Sequence, residues 1–209
     1  KMANNKILYI SDLDGTLLTS DMNISENSLK IINTLIDEGM LFTYATARSI
    51  SSASIVAKGL STKHPIIAYN GAFIVEPDTR KILAKEDFNR AEIQTVKELL
   101  TKAYISPLVY AFVDDKERVS WIPQKENEGK RHYINSRNGD RRLRPVENDE
   151  ELYVGEVFYF TCIGGKEELE PVYEILKDND NYDSYRQSSG VFYLPVWFKV
   201  VDAAGNVGY

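Results

Sequence analysis

Cysteine is almost absent from this chain: Cys162 is the single one among 209 residues. One thiol excludes an intramolecular disulfide, and two histidines, His64 and His132, leave little material for a zinc site. Such usage fits a reducing, intracellular compartment. Long hydrophobic runs are missing too. No stretch approaches the roughly 18 apolar residues of a membrane span, and Lys1 to Tyr9 lacks the apolar core of a signal peptide. The expectation is a soluble, cytoplasmic protein with no membrane partner. Nor is there an excess of positive charge, since 25 lysines and arginines face 31 aspartates and glutamates, for a formal net charge of −6. Binding to nucleic acid rests chiefly on cations that neutralise phosphates, so nucleic acid is excluded as the main partner.

What is present is ordinary for a globular protein: 43% hydrophobic and 27% charged residues, without repeats or low-complexity tracts. The length has room for one full domain or two modest ones. Over the first eighty or so residues, strand and helix signals alternate, as in a parallel sheet covered by helices. Lys6 to Ile10 reads as a short buried strand. Ser25 is placed to cap a helix carrying Leu29, Ile32, Leu35 and Ile36 at helical spacing, with Gly39 as its stop. Met40 to Ala45 reads as a second strand, Ser49 to Leu60 as a helix, and Pro65 to Tyr69 as a third parallel strand.

After Asn70-Gly71 the rhythm changes. Ala72 to Val75 and Lys81 to Ala84 form an expected hairpin around Pro77-Asp78. A helix with Ile93, Val96, Leu99 and Leu100 precedes strands at Leu108 to Val113 and Arg118 to Ile122, joined by Asp114-Asp115. A polar, partly basic stretch follows from Lys125 to Arg144. Then come a β-α unit, Val157 to Ile163 with Glu167 to Leu176, and strand candidates at Tyr182 to Gln187 and Val191 to Val196. This second set reads as an α+β lobe inserted after the third core strand.

The chemistry concentrates in Asp12-Leu13-Asp14-Gly15-Thr16, directly after the first strand. Ligands of α/β sheets gather at the carboxyl ends of the strands, so two carboxylates two residues apart converge there on one point. A phosphate ester gives them separate tasks. Ionised Asp12 attacks phosphorus and forms an aspartyl-phosphate, while Asp14 protonates the leaving oxygen and later activates water. A carboxylate approaching a phosphate dianion meets repulsion, which calls for a hard cation with oxygen ligands, Mg²⁺. Gly15 permits close backbone approach, and the Thr16 amide or hydroxyl contacts phosphate. The alternative is a tight Asp14-Gly15 turn between strands Ile7 to Ile10 and Thr16 to Leu18, with Asp12 as its cap.

The DLDGT of residues 12 to 16 resembles the first motif of the haloacid dehalogenase-like (HAD) phosphatases. Phe42 to Arg48 (FTYATAR) resembles their second motif, and Tyr69 to Ala72 (YNGA) is similar to the Cof-type branch, whose members carry a large α/β cap of the C2 type. The resemblance implies an α/β fold: a Rossmann-like parallel-sheet core, residues 1–84 and 196–209, and an inserted α+β cap, residues 85–195. It implies a phosphatase acting on a small phosphorylated metabolite, a sugar phosphate, nucleotide or cofactor phosphate. Asp12 and Asp14 are then catalytic. Leu13, Gly15, Thr16 and Thr46 lie against the phosphate, and Asn70 and Gly71 on the substrate side. Asp12 and the backbone carbonyl of Asp14 hold Mg²⁺. Arg48 either pairs with a carboxylate or guides phosphate and orders the loop. A phosphomutase of the same superfamily and a non-catalytic HAD-like binding protein are the alternatives.

The family's third motif, a lysine, and its fourth, an acidic pair, are not recognisable. After Val196 thirteen residues remain, with Lys199 the sole lysine and Asp202 the sole acid. Phe198 to Tyr209 resembles the segment that follows the acidic motif. The expectation is that the intervening stretch is missing near Trp197-Phe198, through a deletion or because these residues are part of a longer protein. A chain without those groups is expected to be a poor phosphatase. For the basic run, Lys130 and Arg131 with Arg137, Arg141, Arg142 and Arg144, a solvated face is the default, and electrostatic steering of an anionic substrate the alternative. His64 and His132 read as solvated or packed residues. Tyr110, Phe112, Trp121 and Val157 to Cys162 read as strand packing.

Overall fold

The structure is a computed structural model that describes residues 7–176 with their side chains, and the backbone of 177, 183–186 and 194–199. The chain divides into two compact units, one up to Lys85 and the other from Glu86 onward.

In the first unit the order is β1 (Leu8–Asp12), α1 (Glu26–Asp37), β2 (Leu41–Ala45), α2 (Ile50–Val56), β3 (Ile66–Ala68), β4 (Phe73–Val75) and β5 (Ile82–Lys85). These strands form one sheet in that order, with β1, β2 and β3 parallel and β3, β4 and β5 antiparallel. The helices begin where serine can cap them. Ser25 Oγ accepts from Ser28 N (3.1 Å), and Ser49 Oγ accepts from Ser52 N (3.2 Å), each satisfying an amide that the first turn leaves without a helical partner. The chain leaves α1 through Gly39 at φ +105°. Phe42, Tyr44, Ile66, Ala68, Phe73 and Val75 are buried from successive strands.

The buried strand expected at Lys6 to Ile10 requires correction. Leu8, Tyr9 and Ile10 are 45%, 52% and 46% exposed. Their strand is the outermost of the described sheet, paired only with β2 among the described residues, so a sequence apolar on both faces still meets solvent. The Ser49 to Leu60 helix is shorter than expected, ending at Val56.

In the second unit the elements are α3 (Arg90–Lys102), β6 (Leu108–Val113), β7 (Lys116–Trp121), α4 (Glu128–Asn135), β8 (Leu143–Pro145), α5 (Asp149–Leu152), β9 (Glu156–Gly164), α6 (Lys166–Lys177), β10 (Asp183–Arg186) and β11 (Leu194–Lys199). Their sheet has the order β10-β11-β9-β6-β7-β8, antiparallel except for the β7-β8 pair. A full capping box starts α3: Asn89 Oδ1 accepts from Glu92 N (3.1 Å), and Asn89 N donates to Glu92 Oε2 (2.7 Å). The β6-β7 hairpin turns through Asp114 and Asp115, both at positive φ (50° and 58°), the geometry of a tight primed turn. Val96, Leu100, Val109, Phe160 and Cys162 share one apolar cluster, with Phe88 edge-on to Phe160 at 4.7 Å. Burial pushes the Cys162 thiol well above its ordinary pKa, so it packs as a small hydrophobe.

Two readings of the polar stretch change. Residues 128–135 are helical, and Lys130 is 2% exposed rather than solvated. Its Nζ donates to the carbonyl oxygens of Ser106 and Lys125, which supply the partners a buried ammonium requires. The backbone of Val196–Lys199, read from sequence with the first unit, runs in β11 beside β9. Asp202, with the rest of 200–209, and Ser188 to Gly190 lie outside the described residues.

Candidate active site

Three parallel strands deliver the site residues to one edge of the first unit. In register, Asp12 at the end of β1 lies opposite Ala45 at the end of β2, and Ala45 opposite Ile67 of β3. Past these positions the chain turns sharply three times. After β1, Leu13 to Leu17 close a tight helical turn in which Leu18 N donates to Leu13 O (2.9 Å). Gly15 supplies the left-handed step that kinks it, at φ +75°, where a side chain would be strained. The loop is anchored by Leu13, whose side chain is 0% exposed and whose amide donates to Asp12 Oδ1 (2.7 Å). Asp12, Asp14, Gly15 and Thr16 are exposed around that anchor. The alternative hairpin with a strand over Thr16 to Leu18 does not form, because residues through Leu17 belong to this turn.

The end of β2 is fastened to the end of β3 by backbone bonds. Thr46 N donates to Ile67 O (2.9 Å), Asn70 N to Thr46 O (3.0 Å) and Tyr69 N to Arg48 O (3.0 Å). Thr46 is buried, and its Oγ1 accepts from Arg48 N (3.1 Å). Tyr69, Asn70 and Gly71 all take positive φ (52°, 56° and 92°), so the YNG segment is a tight turn.

Arg48 joins the two halves. Its Nε donates to Asp14 Oδ2 (2.8 Å) and its Nη2 to Asp14 Oδ1 (2.6 Å), a two-pronged pair across 34 positions of sequence. Its Nη1 donates to Ser52 Oγ (3.0 Å), one turn into α2. Of the two sequence alternatives for Arg48, the carboxylate pair is the one observed, and the carboxylate is Asp14. The structure thus brings Asp14, Arg48, Thr46 and Asn70 into one bonded chain, with Asp12 two residues from Asp14. Thr16 and Gly71 are next to it in sequence, and the Thr16 hydroxyl makes no hydrogen bond among the described residues. Ser52 was missed by sequence reasoning: Arg48 precedes the Ser49 cap of α2, so no helical spacing links the two residues in the sequence.

The arrangement presents two carboxylates in different settings. Asp14 is held by a fixed guanidinium, while Asp12 has one oxygen on a backbone amide and no ion pair among the described residues. Among the described residues no three histidine, cysteine, aspartate or glutamate side chains converge as a metal cluster. The available hard ligands are the Asp12 carboxylate and main-chain carbonyls.

A family model described as haloacid dehalogenase-like hydrolase matches residues 9–202, and the chain belongs to that family. The 5-amino-6-(5-phospho-D-ribitylamino)uracil phosphatase YitU of Bacillus subtilis is 40% identical over 76 residues, 36% of this chain and 28% of that protein. A putative phosphatase of Buchnera aphidicola is 35% identical over 99 residues, 47% of this chain and 36% of its own. The matches thus span about a third of these relatives' length. A solved structure from Thermotoga maritima superposes with a TM-score of 0.64 at 26% identity, covering 93% of this chain and 70% of that one.

Proposed function

We propose that the chain carries the catalytic aspartates of a Mg²⁺-dependent phosphatase that acts on a small phosphorylated metabolite. One observation carries the reading: Asp12 and the Arg48-held Asp14 stand side by side at the carboxyl ends of parallel strands, on a loop kinked by Gly15. The phosphatase names of the two curated relatives agree with it. The two units are the core and the cap of that enzyme.

An oxygen of the Asp12 carboxylate attacks phosphorus, the bond to the ester oxygen breaks, and Asp14 delivers a proton to that oxygen. Water then attacks the aspartyl-phosphate, Asp14 takes the proton, and inorganic phosphate leaves with Asp12 restored. Arg48 orients the Asp14 carboxylate by both oxygens in its ionised form, and one of the two bonds opens when that oxygen carries the proton. The backbone amides of the 13–16 loop and the Thr46 hydroxyl bind the phosphoryl oxygens. The donor set fits a hard cation: the Asp12 carboxylate and the Asp14 carbonyl would hold Mg²⁺, which typically keeps waters and takes phosphate oxygens as further ligands. When bound, it compensates the repulsion between nucleophile and phosphate.

The test is release of inorganic phosphate from an aryl phosphate in Mg²⁺. Asp12→Asn is expected to abolish it, with folding unchanged by circular dichroism. Turnover retained in that variant removes Asp12 as the nucleophile.

A further inference from the structure

We propose that the second unit has its own binding site for a small multivalent anion, a compound bearing phosphate or carboxylate groups, in the groove between the β6-β7 turn and β8. The reading is independent of the Asp12 chemistry. Side chains alternate along a strand, so Lys116, Arg118 and Ser120 of β7 leave the sheet on one face. Ser120 pairs in register with Arg144 of β8, which places Arg144 on that face as well. These three cations line a groove of about 420 Å³, with Val113 and Leu143 on its walls and Asp114 the single carboxylate.

Among the described residues none of the three forms an ion pair. Glu117 alternates to the opposite face, where it and Asp140 engage Arg142 (both at 2.6 Å). Arg118 Nη1 donates to the Arg141 carbonyl (2.6 Å), and Arg144 Nη1 to Ser120 Oγ (3.1 Å) and the Glu151 carbonyl (3.0 Å). Those acceptors are neutral. They fix the two guanidinium planes and leave each with further N–H donors. Lys116 is exposed and has no ion-pair partner among the described residues. Like charges set side by side on a sheet face repel, and here they cluster in a chain of net charge −6. An anion shared among them converts the repulsion into attraction, and two oriented arginines match the paired oxygens of phosphate or carboxylate. Three cations spread over two strands favour a ligand with more than one negative charge.

Amide chemical shifts of the ¹⁵N-labelled chain, followed without divalent cation while pyrophosphate or citrate is added, test the proposal. Saturable movement of residues 114–118 and 143–145 is expected, weakening with added salt as the Debye length contracts from about 10 Å at 0.1 M. Lys116→Glu, at an exposed and unpaired position, is expected to raise the Kd roughly tenfold. Arg118→Gln should act in the same direction. Binding of pyrophosphate alone makes the ligand a phosphate compound, and binding of citrate alone a carboxylate compound; either supports the site. The proposal fails if neither anion moves these amides, if movement is confined to residues 12–16 and 46–48, or if both variants keep the wild-type Kd.

Discussion

Replacing Arg48 separates positioning from stability at the candidate active site. The Arg48–Asp14 pair has two short bonds, yet the side chains are 20% and 43% exposed, so water screens most of its Coulomb energy. Exposed pairs of this kind contribute about 0.2 to 1 kcal/mol, and the bond to Ser52 Oγ adds about 0.5 to 1.5 kcal/mol. Arg48→Ala should therefore destabilise the chain by only about 1 to 2 kcal/mol. Its effect on turnover should be larger. Proton transfer by a positioned carboxyl contributes about 10² to 10⁴ in rate, and a misplacement near 1 Å forfeits about 10². Without the guanidinium, Asp14 is free to rotate toward solvent, and kcat should fall about 10²-fold with a smaller change in KM. Arg48→Lys should recover the charge but little of the rate, because one ammonium cannot engage both carboxylate oxygens in fixed geometry. Phosphate release from an aryl phosphate in Mg²⁺, beside urea denaturation of each variant, measures the two effects separately. A kcat within about threefold of wild type in Arg48→Lys would refute the positioning role. A stability loss above about 3 kcal/mol in Arg48→Ala would make the residue a structural one.

Two further predictions concern stability. Burial holds the Lys130 ammonium below the ordinary lysine value, so between that lowered value and about 10.4 the unfolded chain binds more protons than the folded one. Wild-type stability should rise with pH across this window relative to Lys130→Met, and urea midpoints that keep a constant separation from pH 7 to 10 would contradict it. Gly15 and Gly155 both have positive φ, but a Cβ on Gly15 meets nothing within 4 Å, whereas one on Gly155 falls 2.1 Å from the Phe112 carbonyl oxygen. Gly15→Ala should cost about 1 to 2 kcal/mol from strain alone. Gly155→Ala should cost several more, since β6 or β9 must shift, and equal urea midpoints for the two would overturn this.

Local signals carried the fold far because they are written in short windows. Ser25 caps α1 and Asp114-Asp115 turns the hairpin, since each motif satisfies its own backbone groups within a few residues. What was not legible depended on partners distant in sequence. The α4 segment, EGKRHYIN, has too few apolar residues to show a helical period. Its Lys130 is buried with the carbonyl of Ser106, 24 positions away, as one partner and the nearby Lys125 carbonyl as the other. In β1, Ile7 to Ile10 has the composition of a central strand, while among the described residues one of its edges is paired, with β2.

The candidate active site shows the same division within a few ångströms. Asp12, Asp14 and Gly15 were readable as candidates because their placement follows from adjacency: two carboxylates on one loop, and a glycine where the loop kinks. Arg48 was not, because a lone arginine after a strand fits a surface pair as well as a phosphate contact. Its role is set by the register of β1 on β2, which brings residue 48 to residue 14. The Ser52 contact adds a second anchor, from the first turn of α2 back to the guanidinium that precedes its cap. The Arg144 of the proposed anion groove has the same status: its charge is visible in the sequence, and its place beside Arg118 only in the pairing of β7 with β8.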